Sequence, residues 1–162
     1  MKLLLKTIGL IAVFLFMTTQ AFSSNDRKLW KEAEKNLAMG QYDKALTNYK
    51  MIYESNSDNY NMAFKSGFCY LHSEKAENVE LAIQFLEEAQ PHVDKNYKDN
   101  FKEDAAPPET EYYLGVAYRL QANYGKAIEH FKAYKTYTKR NFKTLTDELI
   151  DREIQSCEFS QT

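Results

Sequence analysis

The sequence predicts an all-α fold, a right-handed superhelix of about three stacked helical pairs with a C-terminal capping helix, after an N-terminal signal peptide. Glycine and proline number only 5 and 3 among 162 residues. No run of alternating apolar and polar residues indicates a strand, and apolar residues recur at helical spacing. Three blocks also align at a period in the thirties, which is typical of solenoids built from helical pairs.

The first two dozen residues have the pattern of an export signal. Lys2 and Lys6 give a positively charged start, an apolar run follows over 8–17, and small residues offer cut sites after Ala21 or Ser23. The apolar run has about half the length of a membrane-spanning helix. We therefore expect cleavage and a mature chain in the periplasm or at the outer membrane. A membrane-tethered protein that keeps this segment as an anchor is the alternative.

The three blocks share small residues at fixed places, each paired with a bulky residue. They read AMGQYDKALTNYKMIY, then KSGFCYLHSEKAENVELAIQFLEEAQP, then YYLGVAYRLQANYGKAIEHFKAY. We predict that the small residues let the two helices of a pair approach closely and that the bulky ones fill the space toward the next repeat. The small residues are Gly67, Gly115, Ala45, Ala82 and Ala127, and the bulky ones are Tyr49, Leu86 and Phe131.

The spacing of the repeats indicates an insertion. Ala82 and Ala127 are 45 residues apart, whereas an unbroken array gives about 34. The polar stretch KNYKDNFKEDAAPPET holds the extra residues and ends in Pro107 and Pro108, which can open a helix at Glu109. Two alternatives stay open for this stretch, a surface loop or an extension of the preceding helix.

A last helix is predicted in TLTDELIDREIQSCEF, where apolar residues again follow helical spacing. Thr144 or Thr146 would be its N-cap, and the helix would cover the apolar face of the third repeat. The predicted boundaries are 1–23 for the signal peptide, 24–162 for the domain, about 27–58, 60–95 and 108–140 for the repeats, and about 144–158 for the capping helix.

The three blocks resemble the tetratricopeptide repeat family, and the third matches best. The first is the loosest, since Leu29, Glu32 and Asn36 replace the aromatic residue and leucine that the family's first helix usually carries. APPETEYYLGVAYRLQANYGKAIEHFKAY with the later LIDREIQSCEFSQ is also similar to the N-terminal repeat segment of Gram-negative envelope proteins. Those proteins continue into a WD-like β-propeller and an OmpA-type peptidoglycan-binding domain, and some resemble accessory proteins of type IX secretion and gliding. The sequence stops at Thr162, where a propeller would follow, so we expect either a shortened chain or a short relative without the peptidoglycan-binding part.

In a solenoid of helical pairs, the first helix of each pair lines the concave side and forms a groove for a peptide or a helix. The predicted lining mixes aromatic residues with scattered charge, which suits protein recognition. By the repeat register it comprises Arg27, Trp30, Glu34 and Leu37, then Asn61, Phe64, Phe68 and His72, then Tyr112, Val116 and Arg119. Our hypothesis is that Trp30, Phe64, Tyr112 and Arg119 contact a partner. The alternative is that Phe64, Phe68 and Val116 simply pack against neighbouring helices or against the N-terminal segment.

Other classes of function find little support in the sequence. Without Lys2 and Lys6 the chain has 19 basic and 23 acidic residues, which argues against nucleic acid as a partner. The histidines lack the spacing of a zinc site, and neither a phosphate-binding loop nor a nucleophile motif occurs. We expect no disulfide between Cys69 and Cys157, because about 10 Å separates neighbouring helices of such a stack. The prediction is therefore a non-enzyme without metal, cofactor or small-molecule substrate.

The leading interpretation is a periplasmic protein-protein interaction module of the cell envelope. It would dock to a protein in the periplasm or at the outer membrane, or to the missing downstream domains, within a secretion or envelope-anchoring assembly. The alternative is a periplasmic chaperone-like binder of extended or unfolded clients. A docking module should hold one partner tightly, whereas a client binder should hold many partners weakly.

Overall fold

The computed structural model describes residues 24–73, 78–138 and 147–161. The predicted signal peptide and the two candidate N-caps, Thr144 and Thr146, lie outside these ranges. The described residues form seven α-helices, which are α1 (Ser24–Ala38), α2 (Tyr42–Ser55), α3 (Tyr60–His72), α4 (Asn78–Ala89), α5 (Glu109–Leu120), α6 (Tyr124–Thr138) and α7 (Asp147–Ser160), and a short 3-10 helix at Gln90–His92.

Each helix packs chiefly against its neighbours in the chain. The pairs are α1 with α2, α3 with α4, and α5 with α6, and α7 lies against α6. This succession of contacts between chain neighbours is the pattern of a solenoid. The predicted all-α solenoid of three helical pairs with a closing helix is confirmed.

Two of the pairs turn in the same way. Between α1 and α2, Gly40 has a φ of +69°, and the amide of Gln41 donates to the carbonyl of Asn36 at 2.8 Å. Between α5 and α6, Ala122 has a φ of +57°, and the amide of Asn123 donates to the carbonyl of Tyr118 at 2.9 Å. Both turns use the left-handed backbone that commonly ends a helix, and only the first uses glycine for it.

The small residues lie where the paired helices approach each other closely. A Cβ placed on Gly67 would be 2.7 Å from Cγ of Leu86, and one placed on Gly115 would be 2.6 Å from two ring carbons of Phe131. Both distances are far below the ordinary separation of about 3.5 Å between carbon atoms in contact. The predicted close approach at these glycines is therefore confirmed.

The closing helix α7 completes the C-terminal core. Its residues Ile150, Ile154 and Cys157 are buried in the same cluster as Phe131 and Tyr134 of α6. These contacts cover the apolar side of the last pair, as an end cap of a solenoid must do.

The insertion is a surface segment and does not extend α4. After the 3-10 helix, the chain leaves the stack at Val93 and returns beside it at Ala106, where the two residues form an isolated parallel bridge. The amide of Asp94 donates to the carbonyl of Ala106, and the amide of Ala106 donates to the carbonyl of His92, both at 2.9 Å. Residues 94–105, called the strap below, are thereby fixed at both ends. The chain then enters α5 at Glu109, directly after the two prolines.

Candidate functional site

The residues of α1, α3 and α5 that were predicted to line the groove fall into two groups. We call the side of the stack that these residues share the first-helix face. Arg27, Trp30, Glu34 and Asn61 form the first group, which lies beside the strap. His72, Tyr112, Val116 and Arg119 form the second, which lines an open cleft between α3 and α5. Phe64 and Phe68 lie next to this group, and their rings contact Tyr113. Leu37 packs against the N-terminal apolar core.

The strap places an aromatic ring on the N-terminal half of the first-helix face. The ring of Phe101 lies 5.9 Å, between centroids, from the ring of Trp30. The guanidinium carbon of Arg27 is also 5.9 Å from the centre of the Phe101 ring. Both are within the range at which aromatic pairs and cation–π pairs attract. Phe101 thus occupies the place where the sequence predicted a partner's side chain.

A buried lysine joins the strap to α1 and α3. Nζ of Lys65 lies 2.8 Å from Oε1 of Glu34 and 3.0 Å from Oδ1 of Asp99 in the strap. Lys65 is only 5% exposed, and a lysine is rarely buried unless it is paired. Oε1 of Glu34 also accepts a 2.6 Å hydrogen bond from the hydroxyl of Tyr49. Glu34 is therefore a structural link as well as a residue of the predicted lining.

Asn61 anchors the strap by three contacts. Its backbone amide donates to the carbonyl of Asp104 at 3.2 Å, and its Nδ2 donates to the carbonyl of Glu103 at 3.3 Å. Its Oδ1 lies 2.8 Å from the hydroxyl of Tyr97, which also lies 3.1 Å from Oδ1 of Asp99. Burial, reinforced by the Asp99 carboxylate, raises the pKa of the Tyr97 hydroxyl. The hydroxyl therefore stays protonated and able to donate at neutral pH.

Aromatic rings line the other half of the first-helix face. Phe68 stacks on His72 with 4.1 Å between ring centroids and meets Tyr113 edge-on at 4.9 Å. Its ring centroid is 6.2 Å from that of Tyr42 in α2, and the ring centroids of Phe64 and Tyr113 are 6.0 Å apart. Phe64 and Phe68 are half-buried and pack between helices. Part of each ring remains exposed, so both interpretations of these residues, partner contact and helix packing, stay predictions.

The cleft between α3 and α5 has a volume of about 430 Å³. Its lining combines apolar, aromatic and charged side chains, namely Leu71, His72, Glu109, Tyr112, Tyr113, Val116 and Arg119. Tyr112 forms one wall, and its ring centroid is 5.7 Å from those of Phe131 and Tyr134. Nε of Arg119 is 3.2 Å from Oε2 of Glu153 in α7, which holds the guanidinium at the edge of the cleft.

The tyrosines of the cleft are neutral at physiological pH. Burial raises the pKa of Tyr113 to about 12, and the neighbouring Tyr112 contributes. Burial also raises the pKa of Tyr112, as does Glu153, while Arg119 lowers it. The cleft thus offers hydroxyl groups, an imidazole, the Glu109 carboxylate and a guanidinium as hydrogen-bonding groups beside apolar walls. Such a surface suits a peptide that carries apolar and polar side chains together.

Metal sites and membrane-spanning helices are two further features that bear on function. Across 24–73, 78–138 and 147–161 the structure shows no group of three or more histidine, cysteine, aspartate or glutamate residues that could hold a metal ion. Within the same three ranges, no helix combines the length and the apolar character needed to cross a bilayer. Cys69 and Cys157 are buried free thiols.

Sequence reasoning missed Lys65 and the aromatic residues Tyr113 and Tyr42. Lys65 lies one turn after Asn61 on α3, so the register alone places it on the lining face. The strap residues Tyr97, Asp99 and Phe101 were also missed, because no helical period relates this stretch to the repeats.

Several tetratricopeptide domains of solved structure have a fold similar to that of this chain. The first such domain of Spaghetti (RPAP3), bound to the HSP90 peptide SRMEEVD, has a TM-score of 0.66 at 13% identity, covering 88% of this chain and 98% of that one. The Sgt2 domain of Aspergillus fumigatus has a TM-score of 0.64 at 19% identity, covering 88% and 83%. The Yersinia enterocolitica type III secretion chaperone SycD, in complex with a peptide of the translocator YopD, has a TM-score of 0.63 at 12% identity, covering 86% and 97%.

At these identities the likeness concerns the fold alone, so the chain has the fold of a tetratricopeptide domain. No family model matches the sequence, and no curated protein matches it either.

Proposed function

We propose that this chain is a protein-protein interaction module of the cell envelope that holds a segment of a partner protein in the cleft between α3 and α5. The observation that carries the proposal is the lining of that cleft. Tyr112, Tyr113 and Arg119 belong to the residue types that dominate the binding energy of protein interfaces. Val116 and Leu71 add apolar surface between them.

The similar structures support this type of ligand. The RPAP3 domain holds an HSP90 peptide, and SycD holds a peptide of YopD. In this chain, the strap covers the N-terminal half of the first-helix face and leaves the cleft between α3 and α5 for such a peptide.

The chemistry of the cleft indicates the kind of segment that it would take. The Arg119 guanidinium directs Nε to Glu153 and carries further N–H donors on its two Nη atoms. A carboxylate or a backbone carbonyl of the partner would accept from these donors. An apolar side chain next to that acceptor would lie on Val116 and Tyr112.

The proposed location is the periplasm or the outer membrane. It is supported by the export signal predicted in the first 23 residues and by the resemblance of the third repeat and closing helix to segments of envelope proteins. A role within a secretion or peptidoglycan-linked assembly is part of the same proposal.

A pull-down from envelope extracts tests the proposal. The variant Tyr112→Ala with Arg119→Ala should lose the partner that the unchanged chain captures. Arg119→Gln, which leaves the packing of Tyr112 intact, should weaken capture. The matched control is Met51→Ala with Leu81→Ala, since both are exposed apolar residues on the second helices of their pairs.

Circular dichroism first verifies that each variant is folded. Capture that is unchanged in the Tyr112 and Arg119 double variant would contradict the proposal. The number of proteins captured separates the two functions: one tight partner supports a docking module, and many weak ones support a chaperone-like binder.

A further inference from the structure

The strap lies on the N-terminal half of the first-helix face in the manner of a bound peptide. Its ends are fixed by backbone hydrogen bonds at Asp94 and Ala106. Its central part, residues 97–103, forms no helix or strand and is held to α1 and α3 mainly by side chains. A segment in this position prevents another chain from reaching the residues beneath it.

The contacts of the strap show which chemistry this half of the face accepts. The Asp99 carboxylate pairs with the Lys65 ammonium, and two residues later the Phe101 ring lies against Trp30 and Arg27. A carboxylate followed at the second position by an aromatic ring is therefore complementary to this surface in charge and in shape.

Both partners of the Lys65 and Asp99 pair would find other partners if the strap moved away. The Asp99 side chain is 57% exposed, so water already reaches its carboxylate. Lys65 keeps its second carboxylate, Glu34, at 2.8 Å. The cost of detaching the strap is therefore smaller than the cost of leaving a buried charge alone.

The indole of Trp30 gives a further reason why another ligand could replace the strap. Across the described residues the structure shows no hydrogen-bond acceptor for its buried Nε1–H group. A buried donor without a partner is destabilising, because it has lost its hydrogen bonds to water and gained none in the protein. A ligand that placed a carbonyl or carboxylate oxygen there would recover this energy, which the strap does not.

We propose that the surface formed by Arg27, Trp30, Asn61 and Lys65 is a second protein-binding site and that the strap is its built-in competitor. The partner is an extended protein segment with an aspartate or glutamate two residues before a phenylalanine or tyrosine. This site is separate from the cleft between α3 and α5 and does not depend on the function proposed for that cleft.

Because the strap is covalently part of the chain, it competes for this surface at a much higher effective concentration than a free peptide does. A short flexible connection corresponds to an effective concentration on the order of millimolar. If a free peptide binds with a dissociation constant of about 100 μM, this competition weakens its apparent affinity about ten-fold. Removing the Asp99 and Phe101 side chains should therefore raise the apparent affinity of the free peptide about ten-fold.

A labelled peptide with the sequence of residues 95–105 provides the test, by fluorescence anisotropy with the full chain. The variant Asp99→Ala with Phe101→Ala should bind this peptide about ten-fold more tightly than the unchanged chain does. The matched control, Lys98→Ala with Lys102→Ala, alters two exposed strap residues and should bind as weakly as the unchanged chain. If the alanine variant fails to fold, Asp99→Asn with Phe101→Leu replaces it with the same expected direction.

Altered peptides show whether the predicted chemistry is responsible. A peptide in which both the aspartate and the phenylalanine are alanine should not bind the variant. A glycine-serine peptide that keeps only the aspartate and the phenylalanine, two residues apart, should bind it. The proposal is overturned if the folded variant binds no better than the unchanged chain, or if it binds the altered peptide equally well.

The test is independent of the cleft. Adding Arg119→Gln to the strap variant should leave its affinity for the peptide unchanged, because Arg119 lies on α5. A loss of peptide binding on that change would overturn the assignment of the peptide to the surface beneath the strap.

Discussion

The substitution Gly115→Ala tests whether close approach of paired helices determines the stability of the stack. The added Cβ would lie 2.6 Å from both Cδ1 and Cε1 of Phe131, whose side chain is fully buried. Contact between carbon atoms needs about 3.5 Å, so the ring or the helix must move by about 1 Å. Overpacking of this kind costs about 1 to 3 kcal/mol, whereas replacing glycine by alanine within a helix gains up to about 1 kcal/mol. With the full gain of about 1 kcal/mol, we therefore expect a net loss of up to about 2 kcal/mol.

Gly125→Ala is the matched control, because it makes the same chemical change in α6. The nearest atom to its added Cβ is Nε2 of Gln161 at 3.8 Å, an ordinary contact distance. It should stabilise the protein by up to about 1 kcal/mol through helix propensity alone. Urea denaturation followed by circular dichroism measures the free energy of unfolding of both variants.

A double-mutant cycle locates the effect at one contact. Phe131→Leu should cost less stability in the Gly115→Ala background than in the unchanged chain, because the smaller side chain makes room for the new methyl group. The steric reasoning is refuted if Gly115→Ala is as stable as Gly125→Ala.

Three further predictions use the same structure. Burial raises the pKa of the Cys69 thiol to about 12, although Lys65 acts to lower it. Because only about one thiol in 10,000 is then ionised at pH 8, a thiol reagent should leave Cys69 unmodified until the protein unfolds. Ala122 has a φ of +57°, so Ala122→Gly should raise the free energy of unfolding by roughly 0.5 to 1 kcal/mol in the urea assay. Burial raises the pKa of Tyr49, helped by its hydrogen bond to Glu34, and that of Tyr113 to about 12. Tyrosines of the unfolded chain lose their protons near pH 10, whereas these two keep theirs in the folded protein. Below about pH 10 they should therefore leave Tm unchanged. Above it, each should lower the free energy of unfolding by up to about 1.4 kcal/mol per pH unit, and Tm should fall accordingly.

Each of these three predictions has its own contradicting result. Rapid labelling of Cys69 in the folded protein would show that the thiol is accessible and ionised. An Ala122→Gly variant that unfolds at lower urea would show that the turn is not strained. For the tyrosines, Tyr49→Phe should remove part of the alkaline fall in Tm, and an identical pH profile would contradict the assignment.

The helical pairs could be predicted from the sequence because their packing depends on steric size at fixed spacing. Gly67 and Gly115 recur one helix before Leu86 and Phe131, and only a residue without a side chain fits that separation. The closing helix was predictable for a related reason, since the periodic apolar residues Ile150, Ile154 and Cys157 need an apolar face to cover.

The strap could not be placed from the sequence. Its residues have no helical or strand period, so no register links Phe101 to Trp30 or Asp99 to Lys65. The contacts that place it are between single side chains far apart in the chain. For this reason the groove was predicted as one continuous surface, whereas in the structure one half is covered and the other half is an open cleft.

Site-specific photo-crosslinking in cells that make the protein tests the central claim most directly. A photoreactive phenylalanine analogue at position 116 places the probe in the cleft, and the same analogue at the exposed position Leu81 of α4 places it on a second helix. If the cleft holds a partner protein, illumination yields a discrete adduct from position 116 and none from position 81. The absence of an adduct at position 116, or the same adduct from both positions, would contradict the claim.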